Sequence, residues 1–393
     1  MLDNNSTNDI WCVIPTFNNK NTIKSIALDC RKYLKHVLVV DDGSTDCNVK
    51  EIFKDTDITV LGHEKNFGKG KAMRTALDYI VQQGGEFMIT IDADGQHYPQ
   101  ELMKFIPALR SNPTAIIIGC RDFSHENVPG KSKFGRGFSN FWITLETGIT
   151  VNDSQSGFRA YPVEYLSKMK LSGDFYDFEA EVLTRGAWAG LDIKEVPINV
   201  FYPEEKFRVS SFRPFIDTLR ISLMHIRLIG RRLLPIPYPR VIPAMHKNNY
   251  KDILKHPMVF LKHLLSENAT PLGLAVAAGV GMFLGVLPIL AGHILVTIYV
   301  SERLHLNVVM AVAIQNLCMP PLMPIACIEL GHYMLYKKWI TDISWHTVFG
   351  AIPERIWEWF LGSLILAPIM GLIIGVAVYF STRAIARKKS RHG

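Results

Sequence analysis

The chain has no C-x-x-C pair and only six cysteines, at positions 12, 30, 47, 120, 318 and 327. That argues against a zinc knuckle or a disulfide frame and fits a reducing cytosol. It has no G-x-G-x-x-G after its first predicted strand and no G-x-x-x-x-G-K-[ST], which argues against NAD, FAD or a P-loop. The opening MLDNNSTNDI lacks the apolar core of a signal peptide, so the first domain is expected to stay unexported. Charge is missing from two long stretches. Residues 271–300 and 359–380 hold no Lys, Arg, Asp or Glu, and a membrane span needs about 20 apolar residues.

The charge that is present is uneven. The net value is +7 over 393 residues, with basic residues clustered between about 206 and 262 and again at the C-terminus. Basic segments flanking apolar ones suit an anionic membrane surface, and no nucleic-acid partner is expected. At this length two or more domains are expected.

The first half reads as alternating strands and helices. Strands are predicted at 11–15, 37–41, 58–62, 87–91, 115–119 and 193–201, with helices to about 34, over 72–83 and over 99–110. Asn21 or Thr22 can cap the first helix. Fully apolar strands such as VLVV indicate a parallel sheet covered on both faces. Asp41 and Asp42 end the second strand; Asp92 and Asp94 end the fourth. Open α/β sheets bind ligands at that edge. Asp92 and Asp94 are two apart, so on an extended chain they point to one side. Two carboxylates held together need a cation, and hard oxygens suit Mg²⁺ or Mn²⁺ completed by substrate phosphates. Gln96 can add a neutral oxygen. The competing reading is an Asp-rich turn. In HEKNFGKGK (63–71), glycines and lysines at a helix N-terminus can receive a phosphate; a solvated loop is the alternative. Residues 174–188 read as a helix start. Glu179 and Glu181 cannot share one helical face there, so one faces the cleft and the other caps, pairs or faces solvent.

The ordered set IPTFN, VVDDGSTD, N-x-G-K-G-x-A, DADGQH, SGFR, FEAE and EVPI resembles the family 2 glycosyltransferases, above all the dolichyl- or polyprenyl-phosphate mannose synthase branch. The resemblance covers about residues 10–215. It implies a GT-A fold with a Rossmann-like mixed sheet, a nucleotide-diphosphosugar donor and Mg²⁺ or Mn²⁺. It puts the donor's base and ribose near Pro15, Phe17, Asp41 and Asp42, and the metal and donor phosphates at Asp92, Asp94 and Gln96. It suggests Arg121, Arg136 and Arg159 for phosphate contacts. Lys69, Ala93, Ser210 and Arg213 complete the expected donor set. Asn19, also placed there, stands where that branch often has Glu. Asp94, Glu179, Glu181 and Arg136 are the expected catalytic residues. A hydroxyl acceptor needs a general base, which Glu179 or Glu181 could be. A phosphate acceptor is already anionic and needs arginines instead. The sequence leaves both open.

The expected domains are a GT-A unit (1–212), a basic interfacial helix with a Pro-rich linker (213–262) and an all-α transmembrane domain with two to four membrane helices (263–393). Residues 271–300 are long enough to be a broken pair hinged at Pro288 and Gly292. Residues 307–328 form a second apolar stretch interrupted by prolines. Tryptophans at 357 and 359 mark one interface, and the basic C-terminus marks the cytoplasmic side. Four crossings, or two plus a re-entrant pair, both keep the catalytic domain cytoplasmic on a multi-pass inner-membrane protein. The A-T-P-x-G-x-A run at 269–275 resembles the entry of the bacterial DUF2062 domains. The expected partners are the donor, a lipid acceptor (polyprenyl phosphate or glycolipid) and the membrane; a homo-oligomer stays open. The expected function is inverting sugar transfer to that lipid. The alternative is a non-catalytic nucleotide-sugar sensor or scaffold attached to a lipid-handling module.

Overall fold

The structure, a computed structural model, describes residues 7–122, 130–201, 213–242, 270–289, 292–317, 322–340 and 352–389. The chain divides into two compact units, Met1–Met245 and His246–Gly393.

The first unit is built on a seven-stranded sheet of order β3-β2-β1-β4-β6-β5-β7 among the described residues. Its strands are β1 (Ile10–Thr16), β2 (His36–Asp41), β3 (Thr59–Gly62), β4 (Phe87–Thr90), β5 (Ala115–Arg121), β6 (Arg159–Pro162) and β7 (Asp192–Ile198). The helices are α1 (Ile23–Arg31), α2 (Val49–Ile52), α3 (Lys69–Gln82), α4 (Leu102–Ser111), α5 (Gly130–Thr147), α6 (Val163–Ser167), α7 (Asp177–Ala189) and α8 (Pro214–Leu233). Alternation along each strand feeds two cores. Ile10, Cys12, Ile14 and Ile89 pack with α1 and α4; Val13, Leu38, Met88 and Ile116 pack with α3 and α7.

Strands β1–β4 are mutually parallel, with Thr16 opposite Asp41 and Val13 opposite Thr90. The chain lays β2 and β3 on one side of β1 and β4 on the other. The topological switch point therefore lies between β1 and β4, where ligands of open α/β sheets bind. Strand β6 runs antiparallel to both β4 and β5, which makes the sheet mixed. Sequence reading missed β6 because Arg-Ala-Tyr-Pro has no apolar run.

The boundary expected at 212/213 is corrected. Met224 and Leu228 of α8 join the α3–α7 core, and His225 Nδ1 lies 2.7 Å from the buried Glu146 of α5. The Pro-rich segment also belongs to this unit. Tyr238 stacks on Trp188 at 4.3 Å, and the amides of Val241 and Ile242 donate to Ala189 O.

The described part of the second unit is helical: α9 (Pro271–Val286), α10 (His293–Arg303), α11 (Val308–Leu317), α12 (Leu322–Tyr336) and α13 (Ile352–Lys389). Thr270 caps α9 by accepting from Gly273 N at 3.0 Å. Residues 271–300 thus form two helices, broken before Gly292. Among the described residues one helix, over Pro353–Ala384, is long and apolar enough to cross a membrane; Pro271–Val286 is apolar but shorter.

Candidate active site

Strand β4 delivers its carboxylates to the switch point. The ladder continues to Ile91, whose amide donates to Val13 O, and the chain then turns. Asp94 Oδ1 accepts from Gln96 N at 2.9 Å, and Gly95 takes φ +81°, which a side chain rarely allows. The motif is therefore both a turn and a carboxylate pair, and the extended backbone expected through Asp94 is corrected. Thr22, expected as a helix cap, makes no cap bond. Its hydroxyl donates to Ala93 O at 2.5 Å, tying the start of α1 to the turn. Ala93 itself is buried, as is Pro15 within β1.

Asp92 lies at the centre. Lys69, first residue of α3, places Nζ 2.5 Å from Asp92 Oδ1 and 2.6 Å from Glu179 Oε1. Burial pulls the lysine pKa down, but the two carboxylates outweigh it and the ammonium ends above its ordinary value. Burial likewise raises Asp92, and Lys69 and His97 more than reverse it. Asp94 is pushed up to about 6, first by burial and then by the charge on Asp92. The two carboxylates lie close enough for each to feel the other's charge. Hard oxygens that repel each other fit a divalent cation. No set of three or more His, Cys, Asp or Glu converges among the described residues, so an ion here would draw its other ligands from substrate and water. Gln96 lies beside them; its backbone N–H donates to Asp94 and its backbone carbonyl accepts from Phe201 N.

The S-G-F-R run is the wall behind Asp92. A Cβ at Gly157 would collide with the Asp92 carboxylate, so only glycine allows this approach. Phe158 stacks on Phe105 at 4.6 Å and meets His97 edge-on. Burial lowers His97 to about 4. Arg159 is fully buried and donates to Ser154 O, Ser156 O and Glu179 O, each at 2.6 Å. It cannot reach a phosphate in the cleft, so that expectation is corrected: Arg159 braces the backbone carrying Glu179.

Two further expectations are corrected in the same way. Asp42 is buried and accepts from His63 Nδ1, Phe67 N and Gly68 N at 2.7–2.9 Å. It holds the loop that leads into Lys69, its oxygens taken up by that loop's donors. Glu181, 1 % exposed, accepts from Ser172 N and Oγ, Gly173 N and Arg185 Nε. It fixes the loop before α7. Of the pair, Glu179 is the one that meets Lys69 and, through it, Asp92.

The other predicted residues line the same edge or its margin. Asp41 Oδ1 accepts from Ser44 N. Asn18, at φ +57°, receives Thr45 N and donates its own amide to Ser44 Oγ. These bonds join the loop holding the half-buried Phe17 and Asn19 to the β2 tip. Arg121 forks onto the buried Asp153, Nε–Oδ2 2.6 Å and Nη2–Oδ1 2.8 Å, and its charge reaches Asp92 and Asp94. Asp153 went unassigned in the sequence because only folding brings it to Arg121. Arg136 sits half-buried on α5, near enough to Cys120 to oppose the upward shift that burial gives that thiol. Arg213 lies before α8, 5.4 Å above the Phe175 ring. Ser210 lies outside the described residues.

The first unit thus sets paired acids and a lysine at the switch point of a doubly covered mixed sheet. The family profile for glycosyl transferase family 2 matches residues 11–169. "Uncharacterized protein MJ1222" of Methanocaldococcus jannaschii is 34% identical over 202 residues, spanning 50% of this chain and 83% of that one. The UDP-N-acetylglucosamine–dolichyl-phosphate N-acetylglucosaminyltransferase of Methanococcus voltae is 29% identical over 218 residues, 50% of this chain and 86% of that one. A solved glucosyl-3-phosphoglycerate synthase from Mycobacterium tuberculosis, with Mn²⁺ and UDP, aligns at TM-score 0.43 and 21% identity over 57% of this chain and 78% of that one. The chain belongs to glycosyl transferase family 2 and is a glycosyltransferase. Its residues 258–392 match the profile of DUF2062, an uncharacterized protein region conserved in bacteria.

Proposed function

We propose that the chain transfers a sugar from a nucleotide-diphosphosugar to a prenyl monophosphate, with inversion, at the cytoplasmic face of a membrane. The carrying observation is how its carboxylates are used. Glu181 is spent on four donors, and Glu179 shares Lys69 with Asp92. Both carboxylates thus already have partners, and a phosphate acceptor, being anionic, needs no base at all. The dolichyl-phosphate acceptor in the name of the M. voltae relative supports the same acceptor class.

In this reading Asp92 and Asp94, with Gln96 beside them, would hold Mg²⁺ or Mn²⁺, which would supply positive charge next to the donor diphosphate. Lys69 holds Asp92 in place and adds positive charge beside that diphosphate. Arg121, fixed by Asp153, offers its field to the same oxygens. A phosphate oxygen of the acceptor attacks the anomeric carbon from the opposite face. The bond from that carbon to the donor phosphate breaks, and the nucleoside diphosphate leaves with the electron pair. We place α13 across the bilayer, with the arginines and lysines at its end in the cytoplasm, and a further crossing earlier in the second unit returns the chain to the catalytic domain's side.

The test uses membranes bearing the full chain, a panel of labelled nucleotide sugars and Mn²⁺, with a prenyl monophosphate or the free prenol as acceptor. Label is expected on the phosphate only. Label on the prenol, or transfer that survives Asp94→Ala, rejects the reading.

A further inference from the structure

Helix α8 has two apolar faces. One is docked through Met224 and Leu228. The opposite one is bare, with Phe215 at 82 % exposure and Leu219, Leu223 and Ile226 at half or more. These positions recur at helical spacing and form one stripe. Arg220 and Arg227 fall on the flank between the faces, and both turn toward the loop before α7. Arg227 donates to Ser172 Oγ at 3.1 Å. Arg220 lies 3.7 Å above the Phe175 ring, with Arg213 over the same ring at 5.4 Å. The buried Asp217 is the acidic partner both guanidiniums share, at 3.1 and 3.7 Å. Two cations against one anion leave positive charge at the surface.

That patch abuts the site. The Phe175 ring packs on Gly68, where any Cβ would strike it, and Gly68 immediately precedes Lys69. Next to Phe175, Tyr176 is half-buried, within reach of the charges of Lys69 and Asp92 and also of Asp217.

We propose that Arg213 and Arg220, over Phe175, dock the phosphate of a prenyl monophosphate whose hydrocarbon lies along Phe215, Leu219 and Leu223. Charge complementarity selects a phosphate here, and the apolar stripe beside it selects one that carries a hydrocarbon chain. The phosphate then passes the Phe175 edge toward Lys69. This reassigns Arg213 from the donor to the acceptor, and it rests on the prenyl-phosphate reading above.

The test titrates the full chain in nonionic detergent with farnesyl phosphate and follows thermal unfolding, since a ligand of the folded state raises the midpoint. Farnesol, inorganic phosphate and phosphatidylglycerol serve as comparison ligands. Farnesyl phosphate is expected to stabilise the wild type, and the concentration needed should rise by at least about tenfold in Arg213→Gln/Arg220→Gln. Arg220→Lys, which keeps the charge, should retain part of the effect and guards against a folding defect in the double variant. Unchanged binding in the double variant overturns the proposal. So does phosphatidylglycerol matching farnesyl phosphate, which would mark a general anionic-surface contact. Acceptor and donor KM separate the two readings. Transfer to prenyl phosphate with unaltered acceptor KM in the double variant sinks this site alone. Binding as expected with no transfer by the wild type sinks the proposed function alone.

Discussion

In the first unit, bulky aliphatic side chains clamp the sheet from both sides, and its internal acids each have several donors. In the second, helices meet backbone to backbone across glycines. A Cβ at Gly281 would strike Ala311 O, at Gly331 Glu358 O and at Gly362 Cys327 O, and Gly279 faces Gly371. Meanwhile Leu364, Leu372, Ile373 and Phe380 of α13 point outward, each more than half exposed. Expelling water from large side chains drives the first arrangement. Close packing of small residues is what remains to hold helices together where the surroundings are as apolar as the side chains. The contrast supports the membrane placement proposed for α13.

The largest effect should come from the site. Asp92→Asn or Asp94→Asn should lower the rate of transfer by roughly a thousandfold, with the unfolding midpoint little changed; retained activity would break the view that the first unit's edge does the chemistry. Next come the glycines. Gly281→Leu or Gly362→Leu should cost about 3 kcal/mol or more in the second unit and reduce the yield of folded full-length protein, while labelled-nucleotide binding per folded molecule persists. Glu181→Gln should destabilise the first unit by about 2 kcal/mol and spare most activity, whereas Glu179→Gln, which removes one of the two carboxylates on Lys69, should cost less stability and lower transfer only as far as that lysine is loosened; equal behaviour would erase the distinction drawn between them. Gly230→Ala has open space on α8 and should stabilise the first unit by up to about 1 kcal/mol in thermal denaturation.

The smallest effect is in acid. Burial raises the Glu181 carboxyl, but the Gly173 and Ser172 amides and Arg185 outweigh it, leaving its pKa below the ordinary value. A depressed folded pKa means stability that is present above the unfolded value of about 4.3 and lost as pH falls through the folded one. Wild type and Glu181→Gln should therefore converge in stability as pH drops below about 4; a gap that widens in acid would contradict the assignment.

The strand tips, the acidic pair at Asp92 and Asp94, the helix start at Lys69 and the break after Val286 were legible because each depends on local order. A strand's apolar run, a turn's Asp and Gly, and a helix start are all written within a few residues. Strand β6 was not legible, since four mixed residues acquire strand geometry only from β4 and β5 on either side. Nor was the division of labour among like side chains. Asp41 and Asp42 are chemically the same residue, yet only Asp42 is buried against the loop at 63–68. Arg121 and Arg159 both promised phosphate contacts, yet Arg159 is consumed by three carbonyls.

By itself the sequence determined that an α/β sheet carries paired carboxylates to one edge and that two uncharged runs follow it. The tertiary structure alone decided which charges meet: Lys69 and Glu179 are 110 positions apart. Periodicity sets the direction of a side chain within its own element. Which distant partner shares its cavity depends on strand order and on what the buried space will hold.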